Sequence, residues 1–297
     1  MGDFGCFASE RLAEALCGAA EGAYSVFSGS RRDLIFPSRR VIAGIVEDLR
    51  GVLFPGFFSD KSLPLGMLRF NSAVVIDETR RRLAEQIRRG FCFSCAKGED
   101  ECGGSMCEDK AMGIADEFMG ALPSIQEMLI EDSTAAYKGD PAAESPEECV
   151  FSYPGVIAVT NYRIANALYR LGVPVIPRMI TELAHSSTGI DIHPGASIGR
   201  KFFIDHGTGV VIGETCVIGD GCRLYQGVTL GARSFSEDEN GSLVKGLPRH
   251  PILGDGVIIY AGATVLGRVR IGSGAVIGGN LWITRDVPAG ETVVFRG

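Results

Sequence analysis

Histidine is scarce in this chain: 297 residues contain four, and His185, His193, His206 and His250 all fall in one stretch. Any imidazole chemistry is confined to that stretch. No apolar run approaches the roughly 18 residues that a membrane span needs. Among the first thirty residues Asp3, Glu10, Arg11, Glu14 and Glu21 interrupt any signal-peptide core. The expectation is a cytoplasmic protein with no membrane partner. A surplus of positive charge is also missing. The formal net charge is −7, which argues against nucleic acid as the main partner because phosphate binding needs a basic surface. An anionic ligand must therefore meet a local cluster of basic side chains. Hydrophobic content of 45% and charged content of 22% are those of an ordinary globular protein, not a disordered one. The nine cysteines, an odd number, favour thiols or metal ligands over a disulfide framework.

What is present is a period of six. Ile192, Ile198, Ile204, Val210, Cys216, Cys222 and Val228 form one apolar column, and Leu253, Ile259, Val265, Ile271, Ile277 and Ile283 form another. A step of six fits neither the 3.6 period of a helix nor strand alternation, and marks a coiled β-solenoid built from hexapeptides. The residue after the anchor is often glycine, and the position four after it is small or apolar, as a narrow coil requires. Glycine usage changes with the pattern: 22 of the 40 glycines lie beyond residue 184. The expected fold is α+β, with a helical region over residues 1–188 and the coil over 189–297. In the helical region Gly90 is placed to cap a helix over 72–89. Ser124 with Glu127 and Ser145 with Glu148 read as capping boxes. Pro154 and Pro177 read as helix starts, and Gly172 as a stop. The register of the repeat shifts by two after Thr208. Residues 234–249 do not fit the repeat at all and read as a loop expelled from the coil, delivering Arg249 and His250.

A second constellation sits in a Gly- and acid-rich insert at 90–109. Cys92, Cys95, Cys102 and Cys107 follow C-x2-C-x6-C-x4-C. Four thiolates on a short loop suit zinc or an iron–sulfur cluster; redox or disulfide chemistry and incidental thiols are the other readings.

The segment 185–288 resembles the left-handed parallel β-helix acyltransferases, and within them the serine O-acetyltransferases. The motifs that carry the likeness are DIHPGASIG (191–199), DHGTGVVIGET (205–215), QGVTLGA (226–232) and RHP (249–251). Upstream, GDPAA (139–143) and YPGVIAVTNYRIANALY (153–169) extend it back to about residue 130. The left hand of the coil is implied by this resemblance alone, since right-handed crossovers are the general rule. So is the activity: direct transfer of acetyl from acetyl-CoA to L-serine, the entry step of cysteine synthesis. His206 corresponds to the general base and Asp191 to the carboxylate that orients it. Asp140 and Asp205 correspond to residues that hold the serine ammonium, Arg249 to a bidentate partner for its carboxylate, and His250 to a neighbour in that pocket. Ala232, Ala261 and Gly279 match positions along which the pantetheine arm of CoA lies; Lys245, Arg233, Arg268 and Arg270 are basic enough to meet its phosphates. The resemblance further implies at least a homotrimer, with sites in the clefts between subunits. Some family members bind O-acetylserine sulfhydrylase through a terminal isoleucine. This sequence ends Phe295-Arg296-Gly297, so that complex is not expected.

Two rival readings stand beside this one. Another hexapeptide acetyltransferase could act on homoserine, a sugar or an antibiotic; a neutral hydroxylated acceptor such as a sugar would not need the opposite charges of Asp140 and Arg249. A metal hydratase resembling γ-class carbonic anhydrase would gather His193, His206 and His250 on zinc. For the remaining histidines the plainer readings are structural: His193 orders the first turn beside Pro194, and His185 ends a helix. Cys216 and Cys222 read as small core residues.

Overall fold

The computed structural model describes residues 9–18, 36–58, 65–95, 104–234, 238–239, 241–244 and 246–295, without the side chains of residues 65, 95 and 104–106. Lys245, Arg296 and Gly297 lie outside the described residues, as does Cys102. Seven helices come first: α1 (9–18, exposed), α2 (Arg39–Leu53), α3 (Leu65–Cys95), α4 (Gly104–Gly139), α5 (Pro146–Ser152), α6 (Pro154–Arg170) and α7 (Ile176–Thr188). No helix among the described residues is long and apolar enough to cross a membrane.

Local chemistry explains several of the helix ends. The Ser38 hydroxyl caps α2 by accepting from the Val41 amide, and Ile42, Ile45, Val46, Leu49 and Leu53 give that helix one buried stripe. Ser145 accepts from the Glu148 amide at 3.2 Å, with Pro146 in the first turn of α5. Gly189, left-handed at φ 72, closes α7 by donating to the His185 carbonyl.

Two expected helix ends are absent. Gly90 lies inside α3, not after it; a Cβ there would stand 3.1 Å from the Pro174 carbonyl oxygen, so the glycine serves a close approach. Ser124 starts no helix either, because α4 runs through Pro123. The buried face Ala111, Ala115, Phe118, Leu122, Ile125 and Leu129 continues unbroken across that proline. Packing on this seam outweighs the local stop signal.

From Asp191 the described residues wind through fourteen strands of two or three residues, β1 (Asp191–Ile192) to β14 (Thr292–Val293). They stack in parallel as three sheets: A, β1-β4-β7-β10-β13; B, β2-β5-β8-β11; and C, β3-β6-β9-β12-β14. This is the β-solenoid that the hexapeptides lead one to expect, with the left-handed winding that the resemblance implies. In every strand but β14 an apolar anchor is buried, including Ile192, Ile198, Ile204, Ile212, Ile218, Leu224 and Leu230. The sequence column changes role at Val210: beyond the shift Val210, Cys216, Cys222 and Val228 take the second, smaller inward position, and Ile212 becomes the anchor. A regular turn takes 18 residues, as from Val211 to its partner Thr229 or from Thr264 to Trp282. The first turn takes 20, from Asp191 to Val211, and the third takes 35, from Thr229 to Thr264.

The helices close the lower end of the coil through one continuous apolar core. Tyr162 donates to the Ala196 carbonyl at 2.6 Å and accepts from the Ile198 amide. Arg163, buried on α6, pairs with Asp132 of α4 at 2.9 Å and also donates to the Ile198 and Gly199 carbonyls. At Gly155, α6 meets the coil so closely that a Cβ would lie 2.2 Å from the Ile204 carbonyl oxygen. That contact fixes the backbone immediately before Asp205 and His206.

Candidate active site

The candidate residues gather at the two ends of sheet A. The chain enters sheet A from the corner after sheet C and leaves it at the corner before sheet B, so residues before and after each sheet A strand line opposite edges.

On the entry edge, the first turn uses its two extra residues to build the bend Asp205-His206-Gly207. His206 and Gly207 both have positive φ, 56 and 87. A non-glycine residue seldom takes that conformation, and here it throws the imidazole outward, 70% exposed. Its Nε2 lies 3.8 Å from Asp205 Oδ1. Asp140, at the end of α4, completes this group. Its carboxylate accepts from the Tyr153 hydroxyl at 2.5 Å and the Ala142 amide at 2.8 Å. The tyrosine hydrogen bond first, then the amide and the nearby His206 charge, hold the Asp140 pKa below the ordinary carboxylate value. Higher on the same edge lie Gln226, Ala261 and Gly279. They are stacked through bonds from the Gly262 amide to the Gln226 carbonyl and from the Asn280 amide to the Ala261 carbonyl. Tyr225 and Tyr260 stack beside them, ring centres 5.1 Å apart.

On the exit edge, Thr215 organises the return of the expelled loop. Its hydroxyl accepts from the Arg249 amide at 2.9 Å and the His250 amide at 3.1 Å. Arg268 seals the arrangement by donating to the Thr215 and His250 carbonyls. Arg249 extends its guanidinium to Glu214 at 2.8 Å. Burial would raise the Glu214 pKa, but Arg249 and the adjacent histidines outweigh it and hold the carboxylate low. His193 lies in the same group. Its Nδ1 accepts from the Gly195 amide at 3.0 Å, and burial lowers its pKa. Ala232 stands at the root of the loop on this edge, beside a cavity of about 240 Å³ lined by Arg233, Leu247, Pro248, Arg249 and Arg268.

One expected contact is not made within the chain. Asp191 does not hydrogen-bond His206; its carboxylate faces Arg178 of α7 at 3.8 Å. The reason is geometric, since Asp191 lies on the outer face of sheet A while the His206 imidazole stands off the corner. Within one protomer, His206, Asp205 and Asp140 are thus grouped apart from Arg249, His250 and His193. Glu214, Thr215, Tyr153 and Arg178 join the site without a signal of their own in the sequence, although the first two close the stretch 205–215 and the third precedes the helix at Pro154.

Among the described residues the three-ligand group capable of holding a metal is Glu182, His185 and Asp191, and there the Arg178 guanidinium already lies 2.7 Å from Glu182. The cysteine insert falls partly outside the described residues: Cys92 on α3 and Cys107 on α4 are half-buried, whereas Cys102 and the Cys95 side chain are not described. Cys216 and Cys222 are buried in the coil, where burial pushes their thiols up to about 12 and about 11.

Comparison with known proteins adds three kinds of likeness. Residues 250–285 match the bacterial transferase hexapeptide (six repeats) family. A plasmid-encoded serine acetyltransferase of Synechococcus elongatus is 51% identical over 258 residues, covering 86% of this chain and 81% of the relative. Serine acetyltransferase 1 of Entamoeba histolytica, solved in complex with L-cysteine, superposes with a TM-score of 0.72 at 39% identity, covering 91% of this chain and 92% of that one. A serine acetyltransferase solved in complex with CoA is similar at 25% identity, with a TM-score of 0.53 and coverage of 86% and 94%.

Proposed function

The chain belongs to the serine acetyltransferases, and we propose that it moves the acetyl group of acetyl-CoA directly to the hydroxyl of L-serine, in a site shared by two protomers of a homotrimer. The observation that carries this reading is the division of the candidate residues between the two edges of sheet A. An exposed imidazole flanked by carboxylates occupies one edge, and an arginine beside a buried histidine occupies the other. Serine carries an ammonium and a carboxylate, so it needs both. On the exit edge Glu214 is taken up by Arg249, and the group His206, Asp205 and Asp140 contains no arginine, so the entry edge of one protomer set against the exit edge of the next supplies both.

In that cleft Asp140 and Asp205 hold the ammonium, and Arg249 takes the carboxylate by exchanging its bond to Glu214. His206 removes the hydroxyl proton as the serine oxygen attacks the thioester carbon. The tetrahedral intermediate then collapses, the C–S bond breaks, and the imidazolium returns its proton to the CoA sulfur. Asp191 of a neighbouring protomer is the proposed partner for the His206 imidazole, since its own protomer does not bring the two together. The pantetheine arm runs along Ala261 and Gly279 on the entry edge and past Ala232 on the exit edge. Lys245, Arg233 and Arg270 are left for its phosphates, because Arg268 is committed to backbone carbonyls. Cys216 and Cys222 are sealed in the core with raised pKa values, which supports a ternary complex over an acyl-enzyme. The zinc or iron–sulfur site at the cysteine insert is kept as a separate proposal, outside the transfer chemistry.

The test is CoA thiol release with L-serine, homoserine and sugars, for the wild type and for His206→Ala. Serine-dependent release should fall by about 10²–10⁴-fold in the variant, the usual range for a positioned base. Turnover with a sugar and not with serine would overturn the substrate, and a loss of less than about tenfold would overturn the role of His206.

A further inference from the structure

The turn Gly213-Glu214-Thr215 holds His250 in a way that restricts what its ring can do. The Thr215 backbone amide donates to His250 Nδ1 at 3.0 Å. A backbone N–H has no lone pair to offer, so Nδ1 must be the acceptor and the ring proton must sit on Nε2. The Thr215 hydroxyl lies 2.9 Å from the same nitrogen while accepting the Arg249 and His250 amides; its own proton is therefore also directed at Nδ1. Space for the ring comes from Gly213, where a Cβ would stand 2.2 Å from Nε2. The residue as a whole is 6% exposed, and among the described residues its hydrogen bonds are made at Nδ1, not Nε2.

We propose that Thr215 is a positioning residue that locks His250 into the Nε2–H tautomer, making it a fixed neutral hydrogen-bond donor to the thioester oxygen and not a second acid or base. This rests on the serine acetyltransferase reading of the site. As the serine oxygen attacks, the carbonyl electron pair moves onto oxygen. His250 Nε2–H then hydrogen-bonds that oxyanion without giving up its proton, while His206 alone carries a proton from the hydroxyl to the departing sulfur. A donor set in place before reaction, in a half-buried cleft, stabilises charge that develops only in the transition state. The surroundings support a neutral ring. Burial acts first, and the charges of Arg249, His193 and Arg268 reinforce it against Glu214, lowering the His250 pKa to about 4.

Two measurements test this, one independent of activity. In ¹⁵N spectra of the assembled wild-type protein, His250 should show an unprotonated Nδ1 and a protonated Nε2 throughout pH 6–9. A protonated Nδ1 would overturn the proposal whatever the enzyme acetylates. The second measurement is kinetic. Gln places an amide nitrogen where Nε2 was, whereas Asn keeps only an anchor near Nδ1. His250→Gln should therefore lose less of kcat than His250→Asn and keep a wild-type pH profile. His250→Asn should lose about 10²–10³-fold, the usual effect of removing one such donor. Equal loss in both, with a limb of the pH profile gone, would mean that His250 moves protons. Thr215→Val should lower kcat about tenfold or more and Thr215→Ser should restore it; a Thr215→Val enzyme with wild-type kcat would remove the positioning role. A wild type inactive with serine would instead sink the parent reading and leave the tautomer result standing.

Discussion

Replacing Arg163 by methionine should loosen the helical region from the first turn of the coil. The Arg163 and Asp132 side chains are 4% and 2% exposed. The guanidinium meets the carboxylate at 2.9 and 3.1 Å and reaches the Ile198 and Gly199 carbonyls at 2.9 and 2.6 Å. Asp132 accepts one further bond, from the Phe202 amide at 2.8 Å. Removing Arg163 leaves a buried carboxylate with that single partner, a defect that costs about 3–5 kcal/mol. Asp132→Leu should cost a similar amount by stranding the guanidinium. The double variant Asp132→Leu/Arg163→Met removes both charges and leaves three orphaned backbone groups, at about 1 kcal/mol or slightly more each. It should therefore be no less stable than either single variant, and the cycle should give a coupling of at least about 3 kcal/mol. Burial already raises the Asp132 pKa against the pull of Arg163. Without the arginine it rises further, and a carboxyl with a raised folded-state pKa favours the folded state at low pH. The deficit of Arg163→Met should accordingly shrink as pH falls towards 5. Urea unfolding at one fixed protomer concentration measures all of this. Single-variant costs below about 1 kcal/mol, or additivity within about 0.5 kcal/mol, would refute the reasoning.

Tyr153→Phe removes the hydroxyl that holds the Asp140 pKa down. The carboxylate should then protonate at higher pH, moving the acid limb of kcat/KM for serine upward while the alkaline limb stays in place. Profiles recorded at saturating acetyl-CoA would show it, and an unmoved acid limb would mean that Asp140 does not bind the ammonium. Protein purified without oxygen should carry close to one equivalent of zinc, or iron with sulfide, per chain; less than a tenth of an equivalent would remove the metal from the cysteine insert.

The coil was legible because its inner wall admits few solutions. Every buried position in a two-residue strand must be apolar, and every tight corner needs a small residue or glycine, so the period of six survives in the sequence without help from distant contacts. The shift after Thr208 and the expelled loop were legible for the same reason, as departures from a strict rule. Gly90 and Ser124 misled because their signals are local and weak. A cap is worth about 1 kcal/mol, whereas the seam of α4 buries six side chains that the capping pattern does not see. The hub at Thr215 was hidden for another reason. Its partners Arg249 and His250 lie 34 and 35 residues away in sequence, and nothing in a threonine after a glutamate announces a histidine folded over Gly213.

A strictly regular coil could not hold this chemistry. Its outward side chains alternate with core anchors on strands of two residues, and most of its left-handed corners are glycines, such as Gly227 and Gly262 at φ 71, with Lys201 and Asn280 as exceptions beside His206. A glycine corner projects no side chain. The chain departs from regularity twice before reaching its upper turns, and the two departures lie at opposite edges of one sheet. Two extra residues before β4 supply a corner that can throw an imidazole outward, at the expense of a non-glycine residue at φ 56. The long loop after β7 brings Arg249 and His250 back onto Thr215, one turn below the place where it left the coil. Because sheet A separates the two edges, the base and the anion-binding arginine do not converge within one copy of the chain. Assembly is then part of the proposed mechanism: a stable monomer, obtained by placing charge on the outer face of sheet A at Val211 or Thr229, should fold and bind neither substrate productively.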